Sequence, residues 1–173
     1  WQTTEMNVAR EYVQQTFLSA LYQQAAAQQI LFKGGTALRL AYGSPRFSED
    51  LDFSGFQVTP RDCEDRMAEA LAFLEKTGLA VSIEESKRTS GGYLAIIRCS
   101  FSSYHMEVQI EVSLRRANGA RGRGVLIAGD LIPPFTLTLL PEDRLVTEKL
   151  TALTTRGMPR DYLDFYFLVR KRL

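Results

Sequence analysis

Lys33-Gly34-Gly35-Thr36-Ala37-Leu38-Arg39-Leu40, joined by a short turn to Arg46-Phe47-Ser48-Glu49-Asp50-Leu51-Asp52-Phe53, is the stretch on which the reading of this chain turns. The first segment follows an apolar run, Ile30-Leu31-Phe32, and leads into a helix over residues 36–42 that stops at Gly43-Ser44-Pro45. A glycine pair between a strand-like run and a helix start leaves backbone N–H groups free, and the helix dipole there favours an anion. Thr36 adds a hydroxyl, but neither GxxxxGK[ST] nor GxGxxG is present. The second segment alternates polar and apolar residues like a half-buried strand. Asp50 and Asp52 therefore leave the same face, their Cα atoms roughly 6.6 Å apart at ~3.3 Å per residue. Leu51 and Phe53 anchor the other face in the core, so the two acids cannot rotate apart. Carboxylates held that close repel unless a cation lies between them, and a rigid pair suits Mg²⁺, which takes few protein oxygens plus substrate phosphate. Taken singly, each feature also fits an ordinary role: a solvated strand face, and a plain strand-to-helix turn.

Working outward, Val13, Phe17, Ala20 and Leu21 recur at helical spacing near the start of the chain. Thr59-Pro60 opens another helix, Thr as N-cap and Pro in the first turn, with Cys63, Met67, Ala70, Leu71 and Leu74 inward and Gly78 at its end. Three strands follow. Leu79, Val81 and Ile83 alternate; residues 93–101 are apolar on both faces; Met106, Val108, Ile110, Val112 and Leu114 alternate with Glu107, Gln109, Glu111 and Ser113. Ser90-Gly91-Gly92 and Ser102-Ser103 serve as turns of an antiparallel meander. A Gly/Arg loop and Pro133-Pro134 come next, then helices over residues 141–156 and 159–173. The order α-β-α-β-α-β-β-β-α-α predicts an α+β fold with a mixed or largely antiparallel sheet. Residues 1–130 form its core and 131–173 a helical C-terminal part of the same compact unit.

The 173 residues, 45% apolar and 24% charged, describe one globular domain with core enough to need no disulfide or structural metal. A net charge of +1 excludes bulk attraction to nucleic acid or membrane, so any polyanion must be met by local clusters. Cys63 and Cys99 form no CxxC pair, and His105 is the single histidine, which rules out a Cys/His zinc site. Two thiols suit a reducing compartment. No run approaches a membrane span and no leader is read, so the expected location is cytoplasmic. The chain opens on Trp1 rather than Met, which leaves trimming upstream open.

Other residues can join the acids. Glu111, in Gln109-Ile110-Glu111-Val112, completes a trio with Asp50 and Asp52 if their strands are neighbours, an arrangement that holds two metals for in-line phosphoryl displacement. An edge-strand glutamate in solvent is the plainer alternative. Lys149 flanks the stripe Val146, Leu150 and Leu153, where a lysine must reach an anion or snorkel out, and Arg156 follows on the same side. Asp161 and Asp164 read as charge compensation at a helix N-terminus. Arg115-Arg116 and Arg121-Gly122-Arg123-Gly124 make a basic loop that suits either a solvated hairpin tip or a nucleic-acid phosphate. His105 has no Ser or Cys partner in sequence, so a hydrolase triad has no support.

As an ordered set, these motifs resemble the AbiEii-type nucleotidyltransferase toxins, a branch of the DNA polymerase β-like superfamily. Residues 33–40 and 46–53 look like its glycine-pair and acid-apolar-acid signature, with Arg46 and Ser48 as the AbiEii lead-in. Residues 109–112 resemble the third-carboxylate strand. Residues 148–157 and 159–165 resemble the lysine helix and Arg-Asp motif. Family members often carry further C-terminal helices. The resemblance implies a polymerase β-like core and Mg²⁺-dependent transfer of NMP from NTP to a hydroxyl of RNA, a tRNA end or a protein side chain. A toxin of a toxin–antitoxin or phage-defence system is the implied setting, with a separately encoded antitoxin and no membrane. Gly34, Gly35, Thr36, Arg46, Ser48 and Lys149 would bind the nucleotide. Asp50, Asp52 and Glu111 would bind metal, with Lys149 and Asp161 completing the catalytic set. An inactive nucleotide- or RNA-binding module on the same fold is the main alternative, and a metal-dependent nuclease or phosphohydrolase a further one.

Overall fold

The acid-apolar-acid segment leads into the middle strand of a seven-stranded sheet. The computed structural model describes residues 4–115 and 121–173. Its elements are α1 (Glu5–Tyr22), β1 (Ile30–Lys33), α2 (Gly34–Tyr42), β2 (Leu51–Phe56), α3 (Pro60–Lys76), β3 (Ala80–Thr89), β4 (Gly92–Phe101), β5 (Tyr104–Arg115), β6 (Arg123–Ile127), β7 (Phe135–Leu139), α4 (Glu142–Thr155) and α5 (Pro159–Lys171), with a 3-10 turn at Ala25–Gln29. Across the sheet the strands lie in the order β3-β4-β5-β2-β1-β7-β6. The pairs β2/β5 and β1/β7 are parallel and the remaining neighbours antiparallel, so the sheet is mixed, as expected.

Alternation sends side chains to two cores. Phe32 of β1 and Phe53 of β2 join the larger one, which takes Phe17 and Leu21 of α1 and Met67 and Leu74 of α3. Leu31 and Phe56 point the other way, into a smaller cluster with Leu38 of α2, Leu145 of α4 and Leu168 of α5. α1 and α3 therefore cover one face of the sheet, and α2, α4 and α5 pack on the other. The expected cap of α3 is present: Asp62 N–H donates to Thr59 Oγ1 at 3.2 Å, and Thr59 N–H donates to Asp62 Oδ2 at 2.7 Å.

The structure corrects the sequence reading in three places. The Gly/Arg loop and the segment after Pro133-Pro134 contain two more strands, β6 and β7, paired antiparallel. Each is only five residues long, and the prolines before β7 mask the alternation of Phe135, Leu137 and Leu139. The strand expected from Phe47 begins at Leu51, because residues 46–50 have no ladder partner. Gln14 Nε2 satisfies the carbonyls of Ser48 and Glu49 there instead, each at 3.0 Å. The helix expected from Thr36 begins at Gly34. Arg116 of the basic loop lies outside the described residues.

Cys63 and Cys99 are buried free thiols, pushed up by burial to about 12 and about 11 respectively, which keeps them protonated and unreactive. Among the described residues no helix is long and apolar enough to cross a membrane.

Phe53 is fully buried, its ring 5.3 Å from that of Phe32. Replacing Phe53 by Ala is expected to lower the unfolding free energy in urea by about 3–5 kcal/mol. A loss below about 1 kcal/mol, the range of surface substitutions, would contradict this packing.

Candidate active site

Strand register brings the acids together. Asp52 lies opposite Lys33 on one side and Glu111 on the other, because β2 pairs antiparallel with β1 and parallel with β5. Asp50 enters two residues earlier at the same edge, and both aspartates are half-buried while Glu111 is exposed. The neighbouring-strand condition for the expected trio is therefore met. The three acids make no ion pair among the described residues, and no group of three or more His, Cys, Asp or Glu is gathered there ready to enclose a metal ion.

Gly34 is required by the Asp52 carboxylate, and Gly35 by the side chains of Arg46 and Ser48. Gly34 has φ +82°, and a Cβ built on it would stand 2.1 Å from Asp52 Oδ2, so both conformation and space exclude a side chain. A Cβ on Gly35 would stand 2.2 Å from Arg46 Nη2 and 2.8 Å from Ser48 Oγ. Arg46 and Ser48 thus lean over the first turn of α2, beside its amides. Thr36 does not face outward: its hydroxyl donates to the Asp50 carbonyl at 2.6 Å and fastens α2 to the entry of β2.

The two C-terminal helices close on this site through buried charge. Lys149 Nζ of α4 donates to Asp164 Oδ2 of α5 at 2.8 Å. Arg46 grips the same carboxylate through Nε at 2.7 Å and Nη2 at 3.0 Å. Asp164 is 2% exposed and Lys149 9%, so this is an interior junction of three elements. Asp161 has a different post. It is fully buried, accepts from Arg156 Nε at 2.9 Å and Nη2 at 2.6 Å, and accepts the Met158 N–H at 3.0 Å, which caps α5. Glu148 bridges Lys33 Nζ at 3.0 Å and Arg115 Nη2 at 2.8 Å.

Proton affinities follow from these partners. Burial raises the Asp52 carboxyl above the usual carboxylate range; the charges of Asp50 and Glu111 add to this, and Lys33 and Lys149 oppose it. Burial likewise raises Asp50, against the pull of Arg160, Arg10 and Arg46. Burial also acts upward on Asp164, but the hydrogen bonds from Arg46 and the Lys149 charge outweigh it and hold the carboxyl low. Asp161 is held low chiefly by its hydrogen bonds from Arg156.

Hard carboxylate oxygens whose protonation is favoured by burial and by each other's charge are a donor set suited to a divalent cation. Mg²⁺ needs only one or two protein carboxylates when water and phosphate complete its shell. Asp52 and Glu111, side by side, fit that demand, with Asp50 adjacent. The sequence reading gave no part in the site to Lys33, Glu148 or Asp164 of this neighbourhood. Lys33 was legible in principle, since strand parity places it on the face opposite Phe32. The role of Asp164 depends on how α5 folds back over Arg46, which no local pattern reports.

Comparison with known proteins adds the following. The family model "Nucleotidyl transferase AbiEii toxin, Type IV TA system" matches residues 16–173. A protein of Aquifex aeolicus, aq_aa25, is 30% identical over 138 residues, covering 80% of this chain; the chain spans 56% of that relative's length. The crystal structure of JHP933 from Helicobacter pylori superposes with a TM-score of 0.69 at 22% identity, covering 98% of this chain and 68% of that one. A second H. pylori structure, of a candidate nucleotidyltransferase, gives 0.68 at 23% identity, covering 97% of this chain and 70% of that one. At these identities the structures are similar in fold.

The Asp164 junction predicts acid lability. A carboxylate whose pKa is depressed by folding contributes stability above its unfolded value of about 3.9, and that contribution is lost as pH falls below it. Asp164→Asn is expected to cost about 3–5 kcal/mol at pH 7, because Lys149 and Arg46 keep buried charge without a counter-charge. The gap to wild type should narrow as urea midpoints are measured down to about pH 3. Parallel pH profiles for the two proteins would refute the assignment.

Proposed function

The chain belongs to the nucleotidyl transferase AbiEii toxin family, and on that footing we propose that it moves a nucleoside monophosphate from a nucleoside triphosphate to an acceptor hydroxyl. Mg²⁺ serves as cofactor and pyrophosphate is the second product. The observation that carries this reading is the seating of Glu111 beside Asp52, with Gly34 packed against the same carboxylate.

Gly34 and Gly35 open α2, so their amides and the helix dipole supply partial positive charge for the triphosphate. Lys33 and Lys149 flank Asp52 and add two full charges where negative charge builds on the departing pyrophosphate. Asp52 and Glu111, with Asp50 adjacent, would hold the metal, which when bound would polarise phosphoryl oxygen and steady the leaving group. Glu111, exposed at the open side of the trio, is placed to accept the proton of the attacking hydroxyl. Thr36, Arg46, Ser48 and Asp161 support the site from behind. Thr36 holds Asp50, Arg46 and Ser48 shape the α2 entrance, and Asp161 caps α5 so that Asp164 meets Lys149.

We assign the acceptor to RNA, a tRNA end, or a protein side chain. The family description supports a toxin of a type IV toxin–antitoxin system, with a separately encoded antitoxin as partner. Phage defence is the corresponding biological setting, in the cytoplasm.

Incubation with each α-labelled nucleoside triphosphate, Mg²⁺ and total RNA should place label on RNA or protein and release pyrophosphate. Asp52→Asn, with fold retained by circular dichroism, should lower transfer by about 10²–10³-fold or more, the usual effect of removing a transition-state electrostatic group. Phosphate release or RNA cleavage without label transfer, or no product with any of the four nucleotides, would overturn the reading.

A further inference from the structure

Past the carboxylates, the two central strands continue into a cleft that the roles above leave unused. It has a volume of about 700 Å³ and lies between the far ends of β2 and β5 and one face of α4. Ser54, Phe56, Arg115, Arg144, Glu148 and Thr151 are among its lining residues. Ser54 follows Asp52 by two residues on β2, so strand alternation sets it on the same face; Arg115 follows Glu111 by four on β5. The cleft is thus a direct continuation of the acid-bearing face.

Two observations mark it as built for a ligand. Ser54 is fully buried, and its Oγ has no hydrogen-bond partner among the described residues. A buried hydroxyl left in that state is costly, and a polar ligand atom in the cleft relieves it. Then there is the charge. Arg144 is exposed into the cleft and makes no ion pair among the described residues. Arg115 is turned onto Glu148, whose carboxylate also accepts from Lys33. A carboxylate held between two cations, at 3.0 and 2.8 Å, occupies the kind of position in which the singly charged oxygen pair of a phosphodiester also binds.

Direction follows from the chemistry, and here the inference rests on the nucleotidyl-transfer reading. In an in-line displacement the acceptor oxygen forms its bond to the α-phosphorus as the bond to the pyrophosphate oxygen breaks on the opposite side. The proton goes to Glu111 and pyrophosphate departs with the bonding pair. The glycine entrance, with Arg46 and Ser48, lies toward the start of β2, and the cleft lies toward its end. With pyrophosphate at the first, the acceptor enters from the second.

We propose that this cleft takes a phosphodiester-linked nucleotide of a polynucleotide acceptor. Arg144 and Arg115 receive its phosphate, Ser54 Oγ bonds its sugar or base, and Glu148 holds Arg115 in the phosphate's place while the cleft is empty. Glu148 is on this account a displaceable internal competitor, and removing its charge strengthens acceptor binding.

The test is equilibrium binding of a fluorescein-labelled four-nucleotide RNA to the full chain, read by anisotropy without nucleotide or divalent metal. Arg144→Glu, an exposed substitution, should weaken binding by tenfold or more. Ser54→Val should weaken it severalfold, and Glu148→Gln should tighten it. The opposite sign for Glu148 separates competition from support, since a structural role would make the Gln variant bind worse. Binding of a nucleoside triphosphate, measured in parallel, identifies the source of the phosphate: if Arg144→Glu weakens the triphosphate and spares RNA, the cleft holds the donor and the proposal falls. It also falls if wild type does not bind the RNA, which is the result expected of a protein acceptor, or if Arg144→Glu and Glu148→Gln change nothing. Because the assay contains no nucleotide, it can fail while label transfer succeeds, and succeed while label transfer fails.

Discussion

One buried carboxylate holds the architecture of the site. Asp164 accepts from Lys149 on α4 and from Arg46 in the loop before β2, and all three groups are largely withdrawn from water. A charge removed from solvent must find opposite charge and hydrogen bonds, or the fold loses several kcal/mol. The neighbouring apolar cluster, with Leu38, Leu145 and Leu168 from α2, α4 and α5, supplies adhesion but little direction. The ion cluster supplies direction: it admits a narrow range of helix positions, and within that range Lys149 is delivered beside Asp52.

The second constraint is close approach. Gly34 lies so near Asp52 that no Cβ fits, and its left-handed backbone turns the chain from β1 straight into α2. Helix amides and strand carboxylate are thereby held within one small volume. Opposed properties in such proximity, an anion-seeking helix start and a cation-seeking acid, suit a ligand that carries both signs. A polyphosphate with its counter-cation is such a ligand.

Much of this was legible along the chain, because the informative contacts are local or periodic. Asp52 takes its face by strand parity, with Asp50 just ahead of the strand, and Thr59 with Asp62 declares a helix start. Glu111 stands on the polar side of a cleanly alternating strand. What was not legible depends on register and on long-range closure. Parity sets the face Glu111 occupies, but only the pairing of β5 with β2 sets it at the level of Asp52. β6 and β7 were hidden because five residues in a segment rich in Gly, Arg and Pro carry too few alternations to stand out. Asp164 read as helix-terminus compensation because its partners are 15 and 118 residues away in sequence. Asp161, by contrast, does compensate the helix start, through the Met158 N–H.

The distribution of ion pairs carries the last step. Among the described residues most cations near the trio are already engaged, Lys33 and Arg115 with Glu148, Lys149 and Arg46 with Asp164, Arg156 with Asp161, while Arg160 acts on Asp50 without forming an ion pair. Asp50, Asp52 and Glu111 have no such partner among the described residues, and burial pushes both aspartates toward the protonated form. The protein has positive charge at hand and does not use it on these acids. Such an arrangement is stable only because the aspartates are half-buried rather than sealed, so water screens part of their repulsion. A divalent cation and an anionic ligand arriving together change both halves at once: the acids gain a counter-charge, and the lysines and arginines gain phosphate oxygens they can share with their carboxylates. Either one alone leaves half of the charge pattern unsatisfied, so binding of the two is expected to be mutually reinforcing, as reciprocal coupling between sites requires.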